Sequence, residues 1–120
     1  MSGELTESRS IMLKLISRGE LLGKLKGSAP PALVEALGPA YFADAHLPGA
    51  INIPPDQVDR LAARLLPDLT ADVVVYCSGT CENARIVALR LGDLGYQRVA
   101  VYGGGKEEWV EHGLPVEREA

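Results

Sequence analysis

The sequence has few cysteines, no basic run and no long apolar stretch, and each shortage excludes a class of protein. Two cysteines in 120 residues are too few for a disulfide framework, so each is either an inert core residue or a residue that takes part in chemistry. Lysine and arginine total 12 against 16 acidic residues, and no cluster of them could neutralise a row of phosphates. We therefore expect no nucleic acid partner.

The longest apolar stretch is far shorter than a membrane span, and the start, Met1-Ser-Gly-Glu, lacks the basic and apolar regions of a signal peptide. We therefore expect no membrane partner and a cytoplasmic location, where both thiols stay mostly reduced. With 47% hydrophobic residues, the 120 residues suffice for one core but not for two. We expect one domain over residues 1–120, with residues 1–10 as a flexible start.

Hydrophobic spacing predicts strands that alternate with helices. The least ambiguous strand is 72–77, whose continuous β-branched run is typical of a parallel strand covered on both faces. Helical spacing predicts a long helix over 82–94, followed by Gly95 at the left-handed cap position. Weaker patterns predict helices at 18–25, 40–45, 58–66 and 106–112 and strands at 32–37, 51–53 and 98–102. This order predicts an α/β fold, a mostly parallel sheet of about five strands with helices on both faces.

Cys77 is the first candidate for chemistry, because ligands of parallel sheets bind outside the carboxyl ends of the strands. A short loop from Cys77 into the next helix turns its amides inward, and the helix dipole adds to the positive field. We expect this field to hold the pKa of the Cys77 thiol below about 8.5 and to make it nucleophilic. Gly79 would permit a positive φ in the loop. The alternative interpretation is that Cys77 only ends a buried strand as a small hydrophobic residue.

Four sequence blocks occur in a characteristic order: His46-Leu-Pro-Gly-Ala-Ile-Asn-Ile-Pro54, the strand and loop from position 73, Leu91-Gly-Asp-Leu-Gly-Tyr96, and positions 101–115. Together they resemble the rhodanese family of sulfurtransferases, and the likeness covers nearly the whole chain. The resemblance implies a single rhodanese-like domain without a cofactor. In it, Cys77 would take a sulfane sulfur from a small-molecule or protein-bound donor, hold it as a persulfide and pass it to a thiol or cyanide. The loop that holds the persulfide would comprise Ser78, Gly79, Thr80, Cys81, Glu82 and Asn83.

Two departures from the family pattern bear on this site. The family often has Asp-Val-Arg at the strand end where this chain has Glu35-Ala36-Leu37, so we expect a buried ion pair or loop anchor to be missing. Many family loops also place a cation before the helix, where this chain has Glu82. We therefore expect weak use of thiosulfate and better use of persulfide donors, unless Glu82 points to solvent.

Cys81 and His46 each have two interpretations. Cys81 follows Cys77 by four residues. In the first interpretation it is a second thiol, which forms a disulfide with Cys77 or receives a persulfide from it. In the second it only packs beneath the loop. His46 is either the base of a Cys–His pair or, as we favour, a residue that orients a turn by hydrogen bonding. We place His46 and Glu35 near the site in structural roles.

The remaining motifs indicate structure rather than chemistry. The two histidines are scattered, so we expect no metal site. Gly103-Gly-Gly-Lys106 lacks the pattern of a phosphate-binding loop and is interpreted as a turn, Trp109 as core and His112 as surface.

Two other functions stay open beside sulfur transfer. A non-enzymatic rhodanese-like module that binds a partner protein would fit the loss of the arginine at position 37. A phosphatase or arsenate reductase would need an arginine beside the loop amides, and the nearest candidate is Arg85, one turn into the helix.

Overall fold

A computed structural model describes residues 13–119, so the predicted flexible start lies outside the described residues. The elements alternate as the sequence predicts. The strands are β1 (Lys14–Ile16), β2 (Ala32–Glu35), β3 (Ile51–Asn52), β4 (Asp72–Tyr76) and β5 (Arg98–Tyr102). The helices are α1 (Arg18–Leu25), α2 (Pro39–Asp44), α3 (Val58–Leu65), α4 (Asn83–Asp93) and α5 (Gly105–Glu111), with a 3₁₀ turn at Pro55–Gln57.

All five strands pair in parallel in the order β1-β5-β4-β2-β3, which confirms the α/β fold class. β4 lies at the centre, with Val75 opposite Val34 of β2 and Val101 of β5. β3 is short at an edge of the sheet, and the Pro54-Pro55 pair that follows it cannot donate ladder hydrogen bonds. The central position of β4 places the residue after it at the middle of the sheet's carboxyl edge.

Alternate residues of β4 face two separate cores, and helices cover both. Val73 and Val75 pack with α3 and α4, whereas Val74 and Tyr76 pack with residues of α1 and α5. Trp109 of α5 is buried in this second core, as predicted, and its indole nitrogen donates to the Pro115 carbonyl at 2.7 Å. Helices on both faces are therefore confirmed.

Local signals place several boundaries. A capping box defines the start of α1, where Ser17 and Glu20 each accept a hydrogen bond from the other's amide. Gly95 takes a φ of +108° after α4, as its cap position predicted. The predicted strand 32–37 is shorter, ending at Glu35, although the Ala36 amide still donates to the Tyr76 carbonyl.

None of the helices within residues 13–119 has the length and apolar character needed to cross a bilayer.

We predict that the two apolar side chains Leu91 and Ile86 of α4 contribute very differently to stability. Leu91 is fully buried, so Leu91→Ala removes packed atoms and leaves a cavity, with an expected loss of about 2–5 kcal/mol. Ile86 is 50% exposed, so Ile86→Ala should change stability by about 0.5 kcal/mol or less. Urea unfolding of both variants measures the difference, and equal losses would contradict this assignment of the buried face.

Candidate active site around Cys77

Cys77 directly follows the central strand β4 and is buried, with 2% of its surface exposed. In the structure it forms a disulfide with Cys81, and their Cα atoms are 6.6 Å apart. Cys81 is half-buried and also packs against the core that contains Cys77. The two interpretations of Cys81 are therefore not exclusive, because it packs beneath the loop and contacts the other sulfur.

The backbone donors of the loop between Cys77 and α4 have no hydrogen-bond partner among the described residues. No amide from position 78 to 82 donates a hydrogen bond to another residue of the described range 13–119. Helix α4 begins at Asn83, directly after this loop. The first amides of a helix point toward its N-terminus, so those of α4 point toward the end that the loop joins. Unpaired amides next to a helix N-terminus are the arrangement that stabilises an anion.

The start of α5 supports this loop through backbone contacts. The Lys106 amide donates to the Cys77 carbonyl at 2.8 Å, and the Glu107 amide donates to the Ser78 carbonyl at 2.7 Å. Gly105 has a φ of +67°, and a Cβ there would lie 2.8 Å from both the Cys77 carbonyl oxygen and the Gly79 nitrogen. The segment predicted only as a turn therefore helps to shape the loop, and glycine at 105 is required for the close approach.

Gly79 serves the loop in a way that differs from the prediction. Its φ is not positive, so conformational freedom is not the reason for glycine there. A Cβ at Gly79 would instead lie 2.9 Å from an oxygen of the Glu107 carboxylate. The missing side chain makes room for Glu107, whose carboxylate therefore lies against the loop. Nothing in the sequence pattern identifies Glu107 as a residue of this site.

The expectation that the buried ion pair is missing was wrong. Glu35 is fully buried, and its Oε2 lies 3.1 Å from Nζ of Lys106. Its other oxygen accepts a hydrogen bond of 2.8 Å from the Tyr76 hydroxyl. Lys106, on a distant segment of the chain, therefore supplies the cation that Leu37 does not.

Lys106 and Tyr76 extend this network to the segment between β2 and β3. Nζ of Lys106 also donates to the carbonyls of Tyr41 and Ala45, at 3.0 and 2.5 Å. The Tyr76 hydroxyl accepts from the Leu47 amide at 3.0 Å. Burial, followed by the negative charge of Glu35, raises the pKa of Tyr76, so the hydroxyl stays protonated as a donor.

His46 has the contacts of a turn-orienting residue. Its ring is buried and stacks on Phe42 with 3.8 Å between ring centroids, and its Nδ1 lies 2.7 Å from the Phe42 carbonyl oxygen. Its Nε2 faces the carboxylates of Glu119 and Glu117, at 3.7 and 3.8 Å. Both ring nitrogens are thus directed at the turn and the C-terminal segment, and not at Cys77.

Glu82 and Arg85 point outward from the start of α4. Their side chains are 73% and 68% exposed, and Arg85 Nη1 lies 3.6 Å from Glu82 Oε1. Solvent and Arg85 therefore offset the charge of Glu82, and the exposed Arg85 guanidinium is paired with the Glu82 carboxylate. His112 is exposed on the surface, as predicted.

Residues 13–119 contain no group of three or more histidine, cysteine, aspartate or glutamate side chains arranged to hold a metal ion.

We predict that Lys106→Met destabilises the fold by about 3–5 kcal/mol, because Glu35 is left as a buried charge without its cation. Adding Glu35→Gln to Lys106→Met should recover much of the loss, since the buried charge is then removed. Lys26→Met, at an exposed lysine after α1, is the matched control and should cost about 0.5 kcal/mol or less. Urea unfolding measures all three, and a double variant no more stable than Lys106→Met would contradict the pairing.

Comparison with known proteins gives a consistent family assignment. The rhodanese-like domain model matches residues 17–112. The chain is 35% identical over 107 residues to the HTH-type transcriptional regulator Rv0324 of Mycobacterium tuberculosis, covering 88% of this chain and 45% of that protein. It is 33% identical over 69 residues to the thiosulfate sulfurtransferase PspE of Escherichia coli, covering 58% of this chain and 65% of that protein. The chain therefore spans less than two thirds of either relative.

Solved structures show the same fold. A thiosulfate sulfurtransferase from Pseudomonas aeruginosa superposes with a TM-score of 0.80 at 27% identity, covering 90% of this chain and 20% of that one. A rhodanese from E. coli superposes with a TM-score of 0.63 at 26% identity, covering 73% of this chain and 98% of that one. From its match over residues 17–112 and these shared folds, the chain belongs to the rhodanese-like domain family.

Proposed function

We propose that the chain is a sulfurtransferase that carries a sulfane sulfur as a persulfide on Cys77. The observation that carries this proposal is the position of Cys77, at the end of the central strand and at the base of a loop with unpaired amides. The similarity to the sulfurtransferase PspE and the membership of the rhodanese-like family support it. The substrates would be a small-molecule or protein-bound sulfur donor and a thiol acceptor.

The chemistry is a double displacement at one sulfur atom. The Cys77 thiolate attacks the sulfane sulfur of the donor, and the rest of the donor leaves with the electron pair of the broken bond. The outer sulfur of the resulting persulfide carries negative charge, which the amides of positions 78–82 would stabilise. An acceptor thiolate or cyanide then removes that sulfur and restores Cys77.

The disulfide with Cys81 determines when this cycle can begin. Because only a thiolate attacks the donor, the Cys77–Cys81 bond must first be reduced. The lowered pKa of the freed Cys77 thiol stays a prediction, which follows from the field of the loop amides and of the helix dipole.

A partner-binding module without catalysis is the second candidate. The observation that favours it is the similarity to Rv0324, whose name describes a transcriptional regulator rather than an enzyme. The retained nucleophile and loop favour sulfur transfer, and sulfur loading distinguishes the two functions. A phosphatase or arsenate reductase is disfavoured, because Arg85 pairs with Glu82 instead of facing the loop.

We predict that the reduced chain takes one sulfur atom from a sulfur donor onto Cys77, and that Cys77→Ser abolishes this loading. Serine preserves the size of the side chain, so the fold should be retained. The measurement is the donor product formed per chain, together with intact mass, after incubation with thiosulfate, with a persulfide donor and with neither. Cys81→Ser is the matched control, because it removes the other sulfur and leaves the nucleophile. Sulfur loading that persists in Cys77→Ser would contradict the mechanism.

Donor preference follows from the acids around the loop. A carboxylate about 8 Å from the donor repels each unit of its charge by about 2 kcal/mol at a dielectric constant of about 20, before salt and solvent reduce it. Doubly charged thiosulfate is therefore disfavoured relative to persulfide donors. Glu107 is also exposed, but its carboxylate lies against Gly79, so it should have more influence than Glu82, which is directed outward and paired with Arg85.

We predict that Glu107→Gln, which keeps the side-chain shape, raises kcat/KM for thiosulfate by about threefold to tenfold, equivalent to about 0.6–1.4 kcal/mol. Glu82→Arg should also raise it, by a smaller factor, and persulfide donors should change less in both variants. Higher ionic strength should shrink each gain. If the unmodified chain already uses thiosulfate efficiently and neither variant changes it, the loop amides alone govern donor binding.

A further inference from the structure

The geometry points to a second role for Cys81 that rests on the proposed function. We propose that Cys81 resolves the persulfide on Cys77 and releases its outer sulfur as sulfide. The chain would then act as a persulfide reductase as well as a sulfur carrier, with a dithiol reductant as its second substrate.

The observation behind this proposal is the bond between the two sulfurs. The structure joins Cys77 to Cys81 with 6.6 Å between the Cα atoms, a separation within the range that disulfides span. The loop conformation that leaves the amides of 78–82 unpaired is therefore one in which the sulfur of Cys81 reaches the sulfur of Cys77. Only four positions separate the two residues, so their effective concentration is high.

The surroundings keep Cys81 close to its target. Its side chain is half-buried against the core that contains Cys77, and its carbonyl oxygen lies 3.4 Å from the Cys77 sulfur. The carbonyls of Cys77 and Ser78 are fixed by the amides at the start of α5. A resolving thiol needs this combination of a fixed target and short reach.

The step balances as a thiol–disulfide exchange. The Cys81 thiolate attacks the inner sulfur, Sγ of Cys77, and a Cys77–Cys81 bond forms. The bond from Sγ to the outer sulfur breaks, and the outer sulfur leaves with both electrons and takes up the proton that Cys81 gave up, as hydrosulfide. The sulfane sulfur is reduced by two electrons, and the two cysteine sulfurs together lose two electrons. A dithiol then reduces the disulfide and is itself oxidised.

The loop also determines which of the two persulfide sulfurs is attacked. Attack on the outer sulfur would instead move the persulfide to Cys81 and free Cys77. Amides that stabilise negative charge on the outer sulfur make it a better leaving group, while that charge repels an incoming thiolate. The inner sulfur is also the atom to which Cys81 is bonded in the structure.

The experiment is a single turnover of the fully reduced chain. The reductant is removed, oxygen is excluded, and thiosulfate is the probe because its product, sulfite, counts each loading event without adding a thiol. Sulfite, sulfide and intact mass after thiol alkylation are measured for the unmodified chain, Cys81→Ser, Cys81→Ala and Cys77→Ser. The unmodified chain should release one sulfide for each sulfite and end with no alkylatable cysteine.

In Cys81→Ser and Cys81→Ala we expect loading to persist, with the sulfur retained and sulfide below about a tenth of the unmodified yield. Retention of the sulfur by the unmodified chain overturns the proposal, and so does its recovery on Cys81 by peptide mapping. Either result leaves Cys77 sulfur transfer intact. If neither Cys81 variant nor the unmodified chain forms sulfite, and a persulfide donor also adds no sulfur, the proposed function itself fails. Cys77→Ser should form neither product.

Discussion

The buried carboxylate of Glu35 imposes the constraint on which the site depends. A charge without access to water is stable only beside a cation and hydrogen-bond donors, and Lys106 and Tyr76 meet that requirement. Lys106 also holds the Cys77 carbonyl through its own amide. The same residue therefore neutralises the buried charge of Glu35 and fixes the backbone of Cys77, so the geometry of the loop is tied to the electrostatics of the interior.

The loop combines two opposite electrostatic influences. Backbone amides and the N-terminus of α4 attract negative charge at short range, whereas the carboxylates of Glu107 and Glu82 repel it from the rim. Under the proposed function, the first would act on a sulfur attached to Cys77, and the second on a donor that approaches from solvent. The site would then stabilise an anionic persulfide without favouring a small, highly charged anion.

Local patterns predicted the parts of the fold that local interactions determine. The capping box at Ser17, the buried run of β4 and the spacing in α4 could be interpreted from neighbours in sequence, and so could the position of Cys77. Neighbours in sequence do not place the start of α5, residues 105–107, at the site. These residues reach the loop only because β5 pairs beside β4. The sequence places Leu37 where a cation for Glu35 would be expected, two residues away, but Lys106 supplies that cation from 71 positions further along the chain.

The Cys77–Cys81 bond also has a consequence for how Cys77, the proposed nucleophile, withstands oxidation. A reactive thiolate in contact with oxidants forms a sulfenic acid and then sulfinic and sulfonic acids, and the later products are irreversible for an ordinary protein. A neighbouring thiol that condenses with the first product diverts it to a disulfide, which dithiols reduce. The half-buried position of Cys81 beside Cys77 therefore makes oxidation of this site a recoverable event.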